Sequence, residues 1–258
     1  MRKVLVGVAY TLGLPAILVV LWWISTIVAP SFFVPQPDEL ITDFFSLWFG
    51  NRLFADVLPS IGRFLAGVAI AIIAGVLLGL LIGLNRTLRA LTEPVFEFFR
   101  ALPAPVLVPP LMLIIGANDL MKVVVIALAA VWPVLLNTVE GVRAADPVQS
   151  DTSRSYGISG FNRVRYQVLP SAAPQILAGV RQSLPIGLIL MVISEMFAPT
   201  GGLGAAIIRF QRTYAIPEMW SGILLLGIIG FLVAVVFRAL ERRILRWYYG
   251  LKDIENAV

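Results

Sequence analysis

The 258-residue sequence contains no cysteine and no histidine. Without cysteine, the chain cannot hold a disulfide, an iron–sulfur cluster or a reactive thiolate. Without histidine, it lacks the usual general base and the commonest metal ligand. It also lacks the Gly-x-x-x-x-Gly-Lys-Ser/Thr loop that cradles nucleotide phosphates. We therefore expect no metal, no cofactor and no catalytic residues in this chain, so any ATP that drives it must bind to a partner.

Charged residues are also scarce. They make up 14% of the sequence and hydrophobic residues 59%, whereas a soluble domain is roughly a quarter charged. Long apolar runs are typical of membrane-spanning helices. The net charge of +5 comes from basic residues scattered at the ends of these runs, without the single basic face of a nucleic-acid-binding protein. The sequence predicts an all-α integral membrane protein with one transmembrane domain, residues 1–258, and no nucleic-acid partner.

Six apolar stretches are long enough to cross the ~30 Å hydrocarbon core of a bilayer. The predicted membrane spans are residues 4–28, 59–84, 93–115, 120–142, 176–198 and 218–240. Between the first two, residues 38–49 place apolar side chains on one face of a predicted helix. This helix either lies at the outer membrane surface or packs on the spans.

Small residues recur at every fourth position of the second predicted span, at Gly67, Ala71, Gly75, Gly79 and Gly83. Such a row lets two helices approach closely in lipid. We call it the glycine ridge, and we expect it to form a tight contact with another span.

Prolines interrupt the third predicted span, which follows a predicted loop at residues 85–92. The prolines are Pro103, Pro105, Pro109 and Pro110. Four prolines do not fit in one regular helix, because each removes a backbone hydrogen bond. The freed carbonyls then need neighbouring helices or water. The span is predicted to be broken, either beside a solute pathway or as a kink needed for packing.

The lysine and arginine side chains indicate the orientation of the spans. Most of them fall on the side that holds both termini and residues 143–175. Since loops rich in Lys and Arg stay in the cytoplasm, we predict that both termini and this segment are cytoplasmic. The basic residues assigned outside are Arg52, Arg63, Lys122, Arg209 and Arg212. The last two lie in a predicted outer loop, residues 199–217.

Residues 143–175 form a polar segment between the fourth and fifth predicted spans. Asp146 can cap a helix that begins at residue 147, and Gly157 can end it in a left-handed conformation. Ser159 can cap a second short helix through Val168, which Pro170 then stops. The segment is predicted to be two short helices joined at Gly157.

The spacing in this segment resembles the cytoplasmic signature of permease subunits of binding-protein-dependent ABC importers. That signature is Glu-Ala-Ala, three residues, Gly, nine residues, Ile, one residue and Leu-Pro. Gly157, Leu169 and Pro170 are in register, and Asp151 takes the acidic position. The departures are Thr152 and Ser153 for the two alanines and Gln167 for the isoleucine. Short motifs at 59–67, 101–110, 135–143 and 194–204 are similar to the sulfonate, taurine and nitrate branch.

The resemblance implies a complete transporter around this chain. The permease would work as a homodimer in the bacterial inner membrane. Two cytoplasmic ATPase subunits would dock on the loop between the fourth and fifth spans, and a solute-binding protein would deliver the substrate from outside. The substrate would be a small anion such as a sulfonate, taurine or nitrate, or else a vitamin or its precursor. The residues implied at the ATPase interface are Asp151, Thr152, Ser153, Gly157, Phe161, Leu169 and Pro170.

Polar side chains inside the spans are candidates for the translocation pathway. They are Asn137, Gln182, Ser183 and Glu195. A carboxylate at membrane depth is costly and usually faces a bundle interior or a cavity. Glu195 therefore either holds the loop 201–204 by a hydrogen bond or ion pair, or belongs to the pathway or to the contact with the binding protein.

Two other functions need different features. A membrane-embedded enzyme needs a nucleophile–base pair or clustered metal ligands, and the sequence offers only scattered carboxylates. An ion-coupled secondary transporter usually has repeats with broken helices in both halves, and no convincing repeat is present. The sequence favours an ATP-driven importer permease that catalyses no reaction itself.

Overall fold

The computed structural model describes residues 2–255, except for the side chains of residues 2–12, 147 and 251–255. In this part of the chain the secondary-structure elements are all helices. The first six helices are α1 (Arg2–Val28), α2 (Pro37–Trp48), α3 (Leu58–Leu84), α4 (Arg86–Ala101), α5 (Val108–Ile115) and α6 (Asp119–Arg143). The next six are α7 (Pro147–Ser155), α8 (Gly160–Arg163), α9 (Leu169–Phe197), α10 (Leu203–Arg212), α11 (Ile216–Ile244) and α12 (Arg246–Glu255).

Four helical segments are long and apolar enough to cross a membrane. They are Leu53–Leu84, Asp119–Arg143, Gly160–Phe197 and Ile216–Ile244. The pair Arg86–Ala101 and Ala104–Ile115, bent by 91°, forms a fifth if it is one span. The part of α1 with described side chains adds a shorter apolar helix, Gly13–Val28. The all-helical, multi-pass architecture is confirmed, and the side chains of Arg2, Lys3 and Lys252, used to predict the orientation, lie outside the described residues.

The glycine ridge of α3 packs on α6, as predicted. A Cβ atom added at any of its four glycines would come within 3 Å of an α6 side chain. The contacts pair Gly67 with Ile126, Gly75 with Val134, Gly79 with Thr138 and Gly83 with Val142. Ala71 completes the row and is fully buried. This contact is the centre of the molecule, because α9 packs on the same two helices.

The ridge also shows that α3 and α6 run in the same direction, since the α6 partners advance along the chain together with the glycines. The segment between these helices must therefore return along the length of α3. In contrast, α9 is antiparallel to α6: Gly179 contacts Pro133 and Asn137, whereas Gly141 contacts Ala172. The bent pair α4–α5 is the element that makes the return.

The prediction of a loop at residues 85–92 is wrong, because most of this segment is helical. Helix α4 begins at Arg86, because the Asn85 side chain accepts hydrogen bonds from the amides of Thr87 (3.0 Å) and Leu88 (3.1 Å). A side chain at this position satisfies amides that the first helical turn leaves free. The break comes later, at Leu102, which is extended because it precedes Pro103.

Pro170, which was predicted to stop a helix, and Pro59, which was predicted to begin the second span, both lie inside continuous helical segments. The segments Leu53–Leu84 and Gly160–Phe197 are each continuous through a π-helical turn, Leu53–Val57 and Val164–Val168. Each turn runs into the same four residues, Val-Leu-Pro-Ser, at 57–60 and 168–171. A proline ring clashes with the carbonyl four residues earlier in an α-helix. The wider π turn changes that spacing, so Pro170 does not stop the second helix of the polar segment.

The outer segments pack on the spans. Helix α2 buries Leu40, Phe44 and Trp48, and the Trp48 indole donates a 3.0 Å hydrogen bond to Ser221 on α11. Of the two alternatives for this helix, packing on the spans is therefore the correct one. The predicted outer loop 199–217 contains α10, which packs on α9 and α11.

Candidate functional site

The first helix of the polar segment, α7, has well-defined ends. The Asp146 side chain accepts a 2.8 Å hydrogen bond from the Val148 amide. At the other end Gly157 has φ 68°, the amide of Gly157 donates to Arg154 O (2.9 Å), and the amide of Ile158 donates to Ser153 O (2.9 Å). This pair of bonds is a Schellman motif, which a left-handed residue makes possible. The predicted turn at Gly157 is confirmed.

Helix α7 is attached to the start of the long segment Gly160–Phe197. The Gln167 side chain donates a 3.0 Å hydrogen bond to Ser150, and the Ser171 hydroxyl donates a 3.3 Å hydrogen bond to Gln149. Val168 and Ala172 pack on Val142, at the end of α6. Helix α7 is therefore held against the start of this segment by side-chain hydrogen bonds.

The residues predicted at the ATPase interface fall into two groups. Asp151, Thr152, Gly157, Phe161 and Pro170 are exposed, whereas Ser153 is buried and Leu169 is half-buried. The outward side of the segment also exposes large apolar side chains. Three of them are more than two thirds exposed: Val148, Tyr156 and Phe161. Exposed apolar side chains next to charged ones are typical of an interaction surface.

This surface borders a cavity of about 420 Å³. Thr152, Ser153 and Ile158 line it from α7 and the turn that follows. Tyr166 lines it from the turn Val164–Val168, Pro170 from α9 and Trp247 from α12. We call α7, α8 and the turn Val164–Val168 the coupling surface.

At the far end of α9, Glu195 is completely buried. Its carboxylate accepts hydrogen bonds from Ser60 Oγ (2.8 Å), Arg63 Nη1 (2.6 Å) and the amide of Gly204 (2.9 Å). The Ser60 hydroxyl in turn accepts a 2.8 Å hydrogen bond from the Leu203 amide. Glu195 therefore contacts the 201–204 loop, which is the structural alternative stated above.

Further charged groups surround this carboxylate. Arg63 Nη2 lies 2.8 Å from an Asp119 oxygen. Lys122 is completely buried, and its ammonium group donates to Thr200 (2.8 Å) and to the carbonyl of Gly201 (3.2 Å). Two cations and two carboxylates thus balance each other where α3, α6 and α9 meet. We call these side chains the outer ion cluster.

The loop after α9 is shaped by the cluster. Gly202 has φ 112°, and a Cβ atom there would overlap the Glu195 carboxylate. Both conditions exclude other residues at this position. The cluster therefore fixes the direction in which α10 leaves α9.

The other pathway candidates are not part of the outer ion cluster. Asn137 donates a 2.8 Å hydrogen bond to Pro133 O on its own helix, and Ser183 is buried and bonds to Val180 O. Gln182 is exposed.

Sequence reasoning gave the loop 201–204 as one possible partner of Glu195 but missed its side-chain partners. Arg63 and Lys122 entered only as positive charges outside the membrane, and Ser60 and Asp119 were not considered. The sequence did indicate that Glu195 has a partner, because an ionisable residue within an apolar stretch is usually paired. It does not identify that partner, because Ser60 and Glu195 are 135 residues apart in the chain.

Comparison with known proteins identifies the family. The family of binding-protein-dependent transport system inner membrane components matches residues 67–246. The taurine transport system permease protein TauC of Escherichia coli (strain K12) is 28% identical over 249 residues, covering 93% of this chain and 90% of that protein. SsuC of the same organism, named for aliphatic sulfonates transport, is 30% identical over 249 residues and 93% of each chain.

The fold is similar to that of a solved transporter. An inward-facing structure of the MetNI methionine ABC transporter aligns with a TM-score of 0.63 at 19% identity, covering 73% of this chain and 94% of that one. At this identity the likeness concerns the fold alone. The family match covers well over half of the chain and includes the coupling surface, the whole glycine ridge and Glu195. The chain belongs to the binding-protein-dependent transport system inner membrane components, and it is the permease subunit of an ABC importer, working with an ATPase and a solute-binding protein, and not an enzyme.

Proposed function

We propose that two copies of this chain form the translocation pathway of the importer in the bacterial inner membrane. Each copy would be a single transmembrane domain, residues 1–258, with six spans and both termini in the cytoplasm. Glycine contacts between α3, α6 and α9 leave no room for a solute between these helices. This close packing supports a pathway between two copies.

The coupling surface is the proposed docking site for the ATPase. The observation that carries this proposal is the attachment of α7 to the segment Gly160–Phe197, which runs to the buried Glu195 at its other end. Movement of a docked ATPase would displace α7 and α9 together as a rigid unit. That movement would switch the pathway between outward and inward access.

For the membrane-embedded candidates we propose two roles. Glu195 is a positioning residue, because all its hydrogen bonds go to protein groups that hold the loop after α9. Gln182, which is exposed, and Asn137 and Ser183 remain candidates for lining the pathway.

The proposed substrate is a small anion that carries a sulfonate or a similar group. Relatives named for taurine and for aliphatic sulfonates support this class. Nitrate, or a vitamin or its precursor, would be the alternative. Thermal stabilisation of the partner binding protein by taurine, an alkanesulfonate or nitrate would separate these substrates.

The docking proposal is tested at Asp151 with a matched control. Asp151 and Glu140 are both exposed carboxylates paired with an arginine three residues later. We expect Asp151→Lys to weaken ATPase binding about tenfold, or about 1.4 kcal/mol, because it reverses a charge on the coupling surface. Glu140→Lys should leave binding unchanged. The measurement is co-purification with the ATPase, with membrane level as a check on folding.

The turn at Gly157 gives a second variant for the same assay. Proline cannot adopt φ 68° and has no amide to donate to Arg154 O. Gly157→Pro should therefore insert normally but lose substrate-stimulated ATP hydrolysis. Gly62→Ala is the control, since neither glycine has a neighbour within 4 Å of an added Cβ atom. Normal ATPase binding and uptake in both the Asp151 and Gly157 variants would refute docking at this surface.

A further inference from the structure

Arginine side chains surround a cavity of about 760 Å³ between α9, α11 and α12. It lies at the end of α11 opposite to α10 and the outer ion cluster. The basic side chains that line it are Arg181, Arg238, Arg242 and Arg246. The acidic residue among the lining residues is Glu241. We call this cavity the arginine pocket.

The charges in the arginine pocket are not balanced. Glu241 is almost fully buried and forms a close ion pair with Arg181. Among the described side chains, the other three arginines form no ion pair. Arg238 and Arg242 are one turn apart on α11, and both are exposed. The pocket therefore presents three positive charges to a ligand.

An apolar groove continues from the arginine pocket. A cavity of about 360 Å³ shares Arg181 and Arg238 with it, and is otherwise lined by α9 and α11 side chains including Leu184, Val233 and Ala234. This cavity in turn shares Leu184 and Val233 with a third one of about 320 Å³, whose lining is entirely apolar. The third cavity is also lined by Ile61, Phe64, Leu65 and Val68 of α3, so the 360 Å³ cavity is the apolar groove between α9 and α11.

The depth of the pocket matches a lipid headgroup. Arg238 lies about 33 Å along α11 from Ile216 at 1.5 Å per residue, close to the ~30 Å thickness of a hydrocarbon core. Trp247 and Tyr249, partly exposed, follow on α12. Aromatic side chains at the ends of spans are typical of the membrane–water interface. The arginines are thus at headgroup level and the groove is at acyl-chain level.

We propose that the arginine pocket and the apolar groove bind one anionic phospholipid. The phosphate contacts Arg238, Arg242 and Arg246, and an acyl chain lies in the groove between α9 and α11. Free phosphate would use only the arginines, and an acidic protein segment would leave the groove empty. A phospholipid is the ligand that uses both parts, because it joins a charged headgroup to an apolar chain. The arginine pocket and the apolar groove are joined in the same way, since they share Arg181 and Arg238.

The test uses the full-length permease purified with its ATPase subunits. Native mass spectrometry would count phosphatidylglycerol, phosphatidylcholine and inorganic phosphate bound per permease, and thermal stability would be followed with each added. We expect one phosphatidylglycerol to bind. Since each basic residue near the surface contributes about 1 kcal/mol to binding anionic lipid, Arg238→Gln with Arg242→Gln should weaken binding about 30-fold.

Two controls separate the lipid from other ligands. Arg243→Gln removes the same charge from a neighbouring exposed arginine that does not line the pocket, and should keep the lipid. Ala234→Trp fills the groove and should displace the lipid, whereas Ala239→Trp on the same helix should not.

Three results would overturn the proposal. The first is equal binding of phosphatidylcholine, which would mean that the arginines do not select the headgroup. The second is phosphate binding that survives Ala234→Trp with no lipid bound, which would make the pocket a site for a free anion. The third is loss of the ATPase, without any loss of lipid, in the double arginine variant, which would make the pocket a protein contact.

Discussion

Glu195 shows why a carboxylate is tolerated inside a hydrophobic helix bundle. Burying a lone charge costs several kcal/mol even after relaxation. Here Arg63 supplies the opposite charge, and the Ser60 hydroxyl and the Gly204 amide donate to the remaining oxygen sites. Both oxygens of the carboxylate therefore have donors, and the carboxylate is the centre of a network that joins three elements.

The role of Glu195 can be tested by removing its charge while keeping its shape. Glu195→Gln leaves Arg63 and Lys122 with Asp119 as their remaining acidic partner, and breaking a buried pair costs about 3 kcal/mol or more. We expect a clear fall in the thermal stability of the complex in detergent.

Glu140→Gln is the matched control, because its ion pair with Arg143 is exposed and such pairs contribute about 1 kcal/mol or less. A Glu195→Gln protein that is as stable as the wild type but inactive in uptake would contradict the positioning role. It would place Glu195 in the pathway instead.

At the scale of elements, the close contact between α3 and α6 depends on the glycines of α3, which have no side chain. Gly79→Leu places a side chain where a Cβ atom alone would already overlap Thr138. Overpacking of this kind costs about 1–3 kcal/mol or more. We expect less folded complex to be recovered in detergent.

Ala69→Leu is the control for the ridge, since this residue is on the exposed side of the same helix. Fluorescence-detected size exclusion would compare the two variants at equal expression. Equal recovery would show that the two helices can separate without loss of the fold, and the ridge would not be essential.

The elements that were predictable from the sequence depend on local rules. The glycine ridge was predictable because small residues recur at every fourth position. The turn at Gly157 was predictable because glycine is the usual residue in a left-handed conformation at a helix end. The π turns were not predictable, because proline is expected to end a helix and the sequence does not show that a wider turn precedes Pro59 and Pro170. The outer ion cluster was missed for a different reason: its members come together only when α3, α6 and α9 have packed.

At the scale of the molecule, the shared direction of α3 and α6 restricts the topology. Two helices that run the same way must be joined by a segment that crosses back, and in the proposed topology the bent pair α4–α5 makes this crossing of the membrane with its 91° bend. With α6, α9 and α11 alternating after it, the proposed topology has five crossings from α3 to α11. The N-terminal helix α1 would be the sixth, which places both termini on one side.

This topology predicts which residues an impermeant reagent can reach. The chain contains no cysteine, so one introduced cysteine is the only thiol. Ser46 on α2 and Ser155 on α7 are both exposed, which makes them equally accessible once the reagent is on their side. In intact cells, Ser46→Cys should react with a maleimide that does not cross the membrane, whereas Ser155→Cys should react only after the cells are opened. Reaction at both positions in opened cells shows that neither side chain is covered. If Ser155→Cys reacts from outside, the coupling surface faces away from the ATPase, and the proposed inward orientation of the whole molecule is wrong.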